Sequence, residues 1–102
     1  MDNMIEPIKP GDALFPYDVE MVDGKWRITR QREFSAEEQV AFNLRSIEYL
    51  LQFEPNHGSV GLINMIDGYA RRAMSHGTKK QKDRFRELMS LRQSWLDAQN
   101  AA

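Results

Sequence analysis

Apolar residues recur along this chain with three different rhythms. Up to residue 16 there is no period: Ile5, Ile8, Leu14 and Phe15 are scattered among Pro7, Pro10, Gly11 and Pro16. Each proline removes a backbone donor and disfavours helix at the residue before it. Residues 1–16 therefore read as an extended arm, whose apolar side chains lie either on the chain's own domain or on a partner subunit. Between 17 and 30 the period is two. Tyr17, Val19 and Met21 alternate with Asp18 and Glu20, and Trp26 and Ile28 alternate with Arg27 and Thr29. Asp23-Gly24 between the two runs is a strong two-residue turn signal, because a type I′ turn needs positive φ at both positions. Counting outward from that turn, Met21 faces Trp26, Val19 faces Ile28, Glu20 faces Arg27 and Asp18 faces Thr29. One face of the hairpin is apolar and the other carries favourable cross-strand pairs. An isolated hairpin is marginal in water, so the apolar face is expected to lie on helices.

From residue 35 onward the period is that of a helix. Ser35-Ala36-Glu37-Glu38 is a capping box, in which Ser35 accepts a first-turn N–H and Glu38 reaches back. It predicts a first helix from Ser35 to about Glu54, ended by Pro55. Val40, Leu44, Ile47 and Leu51 form one stripe on it. Phe42, Tyr49 and Phe53 form a second, on nearly the opposite side. The loop Pro55-Asn56-His57-Gly58 leads to a second helix over about 59–75, with Leu62, Ile63, Ile66, Tyr69, Ala70, Ala73 and Met74 as a broad apolar face. Gly61 and Gly68 inside it cost about 1 kcal/mol each relative to Ala and suggest close helix–helix approach. Gly77 reads as a left-handed stop. Thr78-x-x-Gln81 is a second capping box and opens a third helix to about Gln99. Its apolar residues (Phe85, Leu88, Met89, Leu91, Trp95 and Leu96) crowd into the second half, whereas Lys79–Arg84 is polar all round and expected to face solvent or a charged partner. The fold class is thus mainly α: an extended arm (1–16), one β-hairpin (17–30) and a three-helix, bundle-like part (35–99) in a single domain, 1–102.

Composition changes this picture little. With 102 residues, 41% hydrophobic and 28% charged, the chain sits in the ordinary globular range. There is no cysteine, so disulfides and thiolate metal sites are excluded and a reducing compartment fits. No apolar run nears the ~20 residues that cross a bilayer. Met1-Asp2-Asn3-Met4 lacks the basic-then-apolar order of a secretory leader. A cytoplasmic protein away from the membrane is expected.

Charge changes it more. The net charge of −1 hides an asymmetry: residues 1–70 carry a net −6 and residues 71–92 a net +6. Each pole can steer a partner of opposite sign. The basic segment Arg71, Arg72, Lys79, Lys80, Lys82, Arg84 and Arg86, with Arg92 beyond it, has two readings. One is a solvated helix face with local pairs such as Lys79 with Asp83, Arg84 with Glu87 and Asp67 with Arg71. The other is a surface for an anionic partner, nucleic acid included. A helix-turn-helix with Ser75-His76-Gly77 as its turn is conceivable, but dedicated nucleic-acid binders are usually clearly basic overall.

Candidate chemistry is sparse. His57 and His76 lie in predicted loops, where a histidine is usually a solvated or capping residue. No H-E-x-x-H, phosphate loop, nucleophile elbow or EF-hand pattern occurs, and no catalytic, cofactor-binding or metal-ligating residue is singled out. The two-sided apolar character of the first helix is harder to satisfy. Phe42, Tyr49 and Phe53 are expected to meet the arm, the hairpin or a second protein, which suggests a homodimer or a partner surface. In size and style the chain is similar to small bacterial or phage accessory regulators, which bind and block a larger protein. The expected function is that of a non-enzymatic regulator of inhibitor or antiactivator type, without cofactor. A nucleic-acid-binding regulator using 71–92 and a structural subunit of a larger assembly are the alternatives.

Overall fold

The computed structural model describes residues 4–101. The expectations placed on Met1, Asp2 and Asn3, the start of the arm and the lack of a leader, lie outside them. An arm leads into a hairpin of β1 (Tyr17–Val22) and β2 (Lys25–Gln31), and three helical elements follow. The arm is not extended throughout as expected, because over 9–15 it folds into two turns. The Lys9 carbonyl accepts from the Asp12 N–H and the Asp12 carbonyl from the Phe15 N–H, both at 3.0 Å, with Gly11 at a φ of 95°. Helix α1 is Ala36–Leu51. A 3₁₀ turn, Glu54–Gly58, joins it to α2, a helical stretch over 60–76, and α3 is Lys79–Asn100. The mainly α class with one hairpin is as the residue pattern predicts.

Both capping boxes form. Ser35 accepts from the Glu38 N–H at 3.2 Å while Glu38 accepts from the Ser35 N–H at 3.1 Å, and Thr78 and Gln81 do the same at 3.1 and 2.9 Å. The Ser35 backbone N–H holds the Glu38 carboxyl below the ordinary glutamate range, against the opposing effect of desolvation; the Ser35 hydroxyl and the charge of Arg32 add smaller contributions to the lowering. Helix α1 ends at Leu51, three residues before the predicted end at Glu54, because Pro55 enters the 3₁₀ turn at its start and shapes the residues before it.

The core is one cluster: Val40, Ile47 and Leu51 of α1, Leu62, Ile66, Ala70 and Met74 of α2, and Phe85 and Leu88 of α3. The four buried α2 positions are spaced by four residues. At 100° per residue such a row drifts by about 120° over three steps. A π-turn at Ile66–Ala70 underwinds the helix and takes up part of that drift, so the row stays against α1. The broad face expected on α2 is correspondingly narrower, and Tyr69 is 67% exposed.

Two glycine expectations are corrected. Gly61 and Gly68 are not sites of close helix approach, since a Cβ at either would meet nothing within 4 Å. Gly77 is not a left-handed stop: its φ is −80° and ψ 158°, an extended conformation. Crowding explains it instead, because a Cβ there would lie 3.2 Å from the Met74 carbonyl oxygen and 3.4 Å from Val40.

The hairpin turns where expected, with φ of 51° at Asp23 and 76° at Gly24. Met21 pairs with Trp26, Glu20 with Arg27 and Val19 with Ile28. Asp18 does not pair with Thr29. A β-bulge places it opposite Arg30, and Tyr17 opposite Gln31. The bulge sets the Arg30 guanidinium on the Asp18 carboxylate at 2.7 Å, a stronger partner than a threonine hydroxyl. Thr29 donates its hydroxyl to the Asp18 carbonyl at 3.1 Å.

The arm lies on the chain's own domain. Its Ile5 exchanges two hydrogen bonds with the side-chain amide of Gln52, at 2.8 and 2.7 Å, and the Glu6 carbonyl accepts from Arg45 at 3.0 Å. Arg45, Tyr49 and Gln52 share a side of α1 at helical spacing, so the arm runs along the helix's second face.

Candidate protein-docking surface

The hairpin's apolar face does not lie on the helices. Trp26 is 51% exposed, Met21 55% and Ile28 60%, and Tyr17 joins them at the arm end. Only Val19 on this face is half-buried. The reason is occupancy: the three helices bury their stripes on one another and the arm runs along the other side of α1. The hairpin therefore stands off the helical body. The molecule measures 52 × 30 × 28 Å with a radius of gyration of 15.5 Å, against about 13 Å for a compact chain of this length.

Arg32 fixes where the hairpin leaves the body. Its guanidinium donates to the carbonyls of Ala13 and Phe15 at 2.6 and 3.2 Å and reaches Glu38 at 3.4 Å and Asp18 at 3.8 Å. Its backbone N–H donates to the Pro16 carbonyl at 2.9 Å, and its cation sits 5.4 Å over the Phe34 ring. One side chain thus ties together the arm, β1 and the first turn of α1. The residue pattern held no signal for it beyond its place at the end of a strand.

The charges of the hairpin are sorted by strand. Asp18 and Glu20 lie on β1, and Lys25, Arg27 and Arg30 on β2. Glu20 and Arg27 face each other in register, yet neither they nor Lys25 form an ion pair within 4.0 Å among the described residues.

The other candidate residues fall into three places. Phe42 is half-buried against Phe34, ring centroids 5.4 Å apart, beside a hollow of about 450 Å³ between α1 and α2. Tyr49 and Phe53 pack edge-to-face at 5.3 Å, also half-buried, on the side that carries the arm. The structure thus splits the predicted stripe between two surroundings.

The basic segment is largely paired. Arg71 meets Asp67 at 2.9 Å, Lys79 meets Asp83 at 2.8 Å, and Arg86 meets Asp83 at 3.5 Å. Arg84 bridges Glu87 at 3.1 Å and Glu48 of α1 at 3.4 Å. Arg72 donates to the Gly68 carbonyl, and Arg92 to the His57 carbonyl at 2.7 Å. Lys80 and Lys82 are exposed and have no carboxylate partner among the described residues. Lys80 lines a groove of about 830 Å³ between α1 and α3, with Leu44, Glu48 and Glu87 among its neighbours.

Of the histidines, His76 is exposed and His57 is buried. His57 is a capping residue: its Nε2 lies 2.6 Å from the Leu51 carbonyl, which the end of α1 leaves open, so this nitrogen carries the proton. Its ring stacks on Trp95 at 4.7 Å. Among the described residues, no three histidine or carboxylate side chains gather as metal ligands, and no helix is long and apolar enough to cross a membrane. No family model matches the chain, and neither curated proteins nor solved structures give a match.

Proposed function

We propose that the chain is a non-catalytic regulator that works by binding a larger protein, as an inhibitor or antiactivator does, and that the β-hairpin is the element it presents. One observation carries this reading: the apolar face of a hairpin that stands off the body leaves Trp26, Met21 and Ile28 each more than half exposed. Monomeric proteins rarely leave contiguous apolar surface in water without a use for it. Aromatic residues and methionine are the types enriched at protein interfaces. A hairpin held by its own ladder and by Arg32 also binds with little ordering cost.

The test is a comparison of two tagged proteins, wild type and Trp26→Glu/Ile28→Glu, as bait in the native host. Both substituted side chains are more than half in water, so the variant should keep the helical circular dichroism of the wild type and a thermal midpoint lowered by no more than several degrees. The proteins retained by the wild type should be lost from the variant. Equal retention by a folded variant would sink the reading.

A further inference from the structure

We infer that the outer edge of β2 accepts a third strand from a partner: an extended segment in which acidic and apolar residues alternate. This rests on the hairpin being the docking element and adds what it docks.

A two-stranded antiparallel ladder leaves alternate N–H and C=O groups of each strand pointing outward. All seven residues of β2 are exposed, and among the described residues no backbone hydrogen bond outside the ladder involves them. This open edge is a template for strand addition.

The side chains along it set the chemistry of what is added. Trp26 and Ile28 project to the apolar face, while Lys25, Arg27 and Arg30 line the other side with no acidic residue among them. Arg30 is neutralised by Asp18, but Lys25 and Arg27 have no carboxylate within 4.0 Å among the described residues. The chain holds its own template for the complement. On β1, Asp18-Val19-Glu20-Met21 alternates acidic with apolar residues, and it is this strand that pairs with the inner edge of β2. A third strand with the same alternation would place apolar side chains beside Trp26 and Ile28 and carboxylates opposite Lys25 and Arg27.

The same charges argue against a second copy. Symmetric pairing of β2 with β2 sets Lys25, Arg27 and Arg30 against themselves, and β1 with β1 sets Asp18 and Glu20 against themselves. Like charges directly opposite are destabilising. Pairing β1 of one copy with β2 of the next matches charge, but it is head-to-tail and builds an open chain, not a closed dimer. Charged residues on an edge ordinarily serve to refuse neighbours. One sign on each edge refuses symmetric pairing with a copy and admits a strand of the opposite sign.

The experiment uses the full chain and three labelled seven-residue peptides. One alternates Glu and Val, one has the same composition in two blocks, and one alternates Lys and Val. The alternating acidic peptide should bind, with chemical-shift changes and slowed exchange concentrated on the backbone amides of β2. Lys25→Glu/Arg27→Glu should weaken it roughly tenfold, and that variant should bind the Lys/Val peptide instead. Both positions are exposed and in no ion pair among the described residues, but Arg27 faces Glu20, so unchanged cross-strand contacts from Met21 to Trp26 and from Val19 to Ile28 will confirm that the hairpin itself stays folded. Equal binding of the block peptide, shifts located away from β2, absence of binding at millimolar peptide, or head-to-tail self-association through the hairpin would each overturn the inference. If Trp26→Glu/Ile28→Glu abolishes capture of the native partner while Lys25→Glu/Arg27→Glu leaves it intact, the apolar face is the docking surface and the edge is not.

Discussion

Trp26 and Ile47 are both large apolar side chains, and they stand in opposite surroundings. Ile47 is fully buried in the middle of α1, whereas half of the Trp26 surface is in water. Truncation therefore separates them. Ile47→Ala removes packed atoms and leaves a cavity, which typically costs 2–5 kcal/mol. Trp26→Ala removes only the part of a ring that rests on Met21 across the ladder, at roughly 1 kcal/mol or less. Urea denaturation of the two variants should show that gap. A loss of about 3 kcal/mol at Trp26 would mean that the hairpin folds back on the helices in solution. The residue pattern alone gave the opposite expectation for Trp26, for a physical reason. Alternation shows which side of a strand is apolar, but what covers that side depends on contacts between segments far apart in the chain. His57 makes the same point in reverse. A loop position beside glycine suggested a capping or solvated group, and its burial follows from the distant Trp95.

At the scale of elements, what was legible is what is decided locally. Asp23-Gly24 set the turn and the first four cross-strand pairs, because positive φ at two successive residues restricts the geometry. Ser35-x-x-Glu38 and Thr78-x-x-Gln81 placed two helix starts, because each motif closes its own hydrogen bonds. The bulge beside Val19 and the π-turn in α2 were not legible. The first answers to an ion pair between Asp18 and Arg30, the second to the need to hold Leu62, Ile66, Ala70 and Met74 against α1. Helix α2 also carries a testable oddity. Gly61 and Gly68 have ordinary backbone angles and open space where a Cβ would stand, so alanine fits at both. Gly61→Ala and Gly68→Ala should each raise stability by roughly 0.5–1 kcal/mol, by restricting the unfolded chain. Thermal melts at two protein concentrations check this. A concentration-dependent loss of stability would instead reveal a second molecule closing on that face of α2.

For the molecule as a whole, the charge poles differ in how much attraction each has left to offer. The net +6 of residues 71–92 suggests a strong anion-binding surface, but four of its basic side chains, Arg71, Lys79, Arg84 and Arg86, sit on Asp67, Asp83, Glu87 and Glu48. Lys80 and Lys82 remain, with Arg72 and Arg92 each partly engaged on a carbonyl. A protein that neutralises two or three phosphates releases few counterions, so its affinity for duplex DNA should fall only about 10- to 40-fold between 50 and 200 mM salt. Six or more phosphate contacts would give a fall on the order of 10³-fold or steeper. Binding to mixed-sequence duplex and single-stranded DNA and RNA should therefore be weak, shallow in salt and indifferent to sequence. Lys79→Glu/Lys80→Glu/Lys82→Glu should remove what there is, while leaving capture of the hairpin's protein partner nearly unchanged at equilibrium and slowing only its association. Trp26→Glu/Ile28→Glu should do the reverse, abolishing partner capture and sparing the weak nucleic-acid binding. Fluorescence anisotropy with labelled oligonucleotides, run over a salt series for both variants, separates the two surfaces. Nanomolar, sequence-dependent DNA binding that the triple charge reversal abolishes and the hairpin variant retains would move the function from the hairpin to α3.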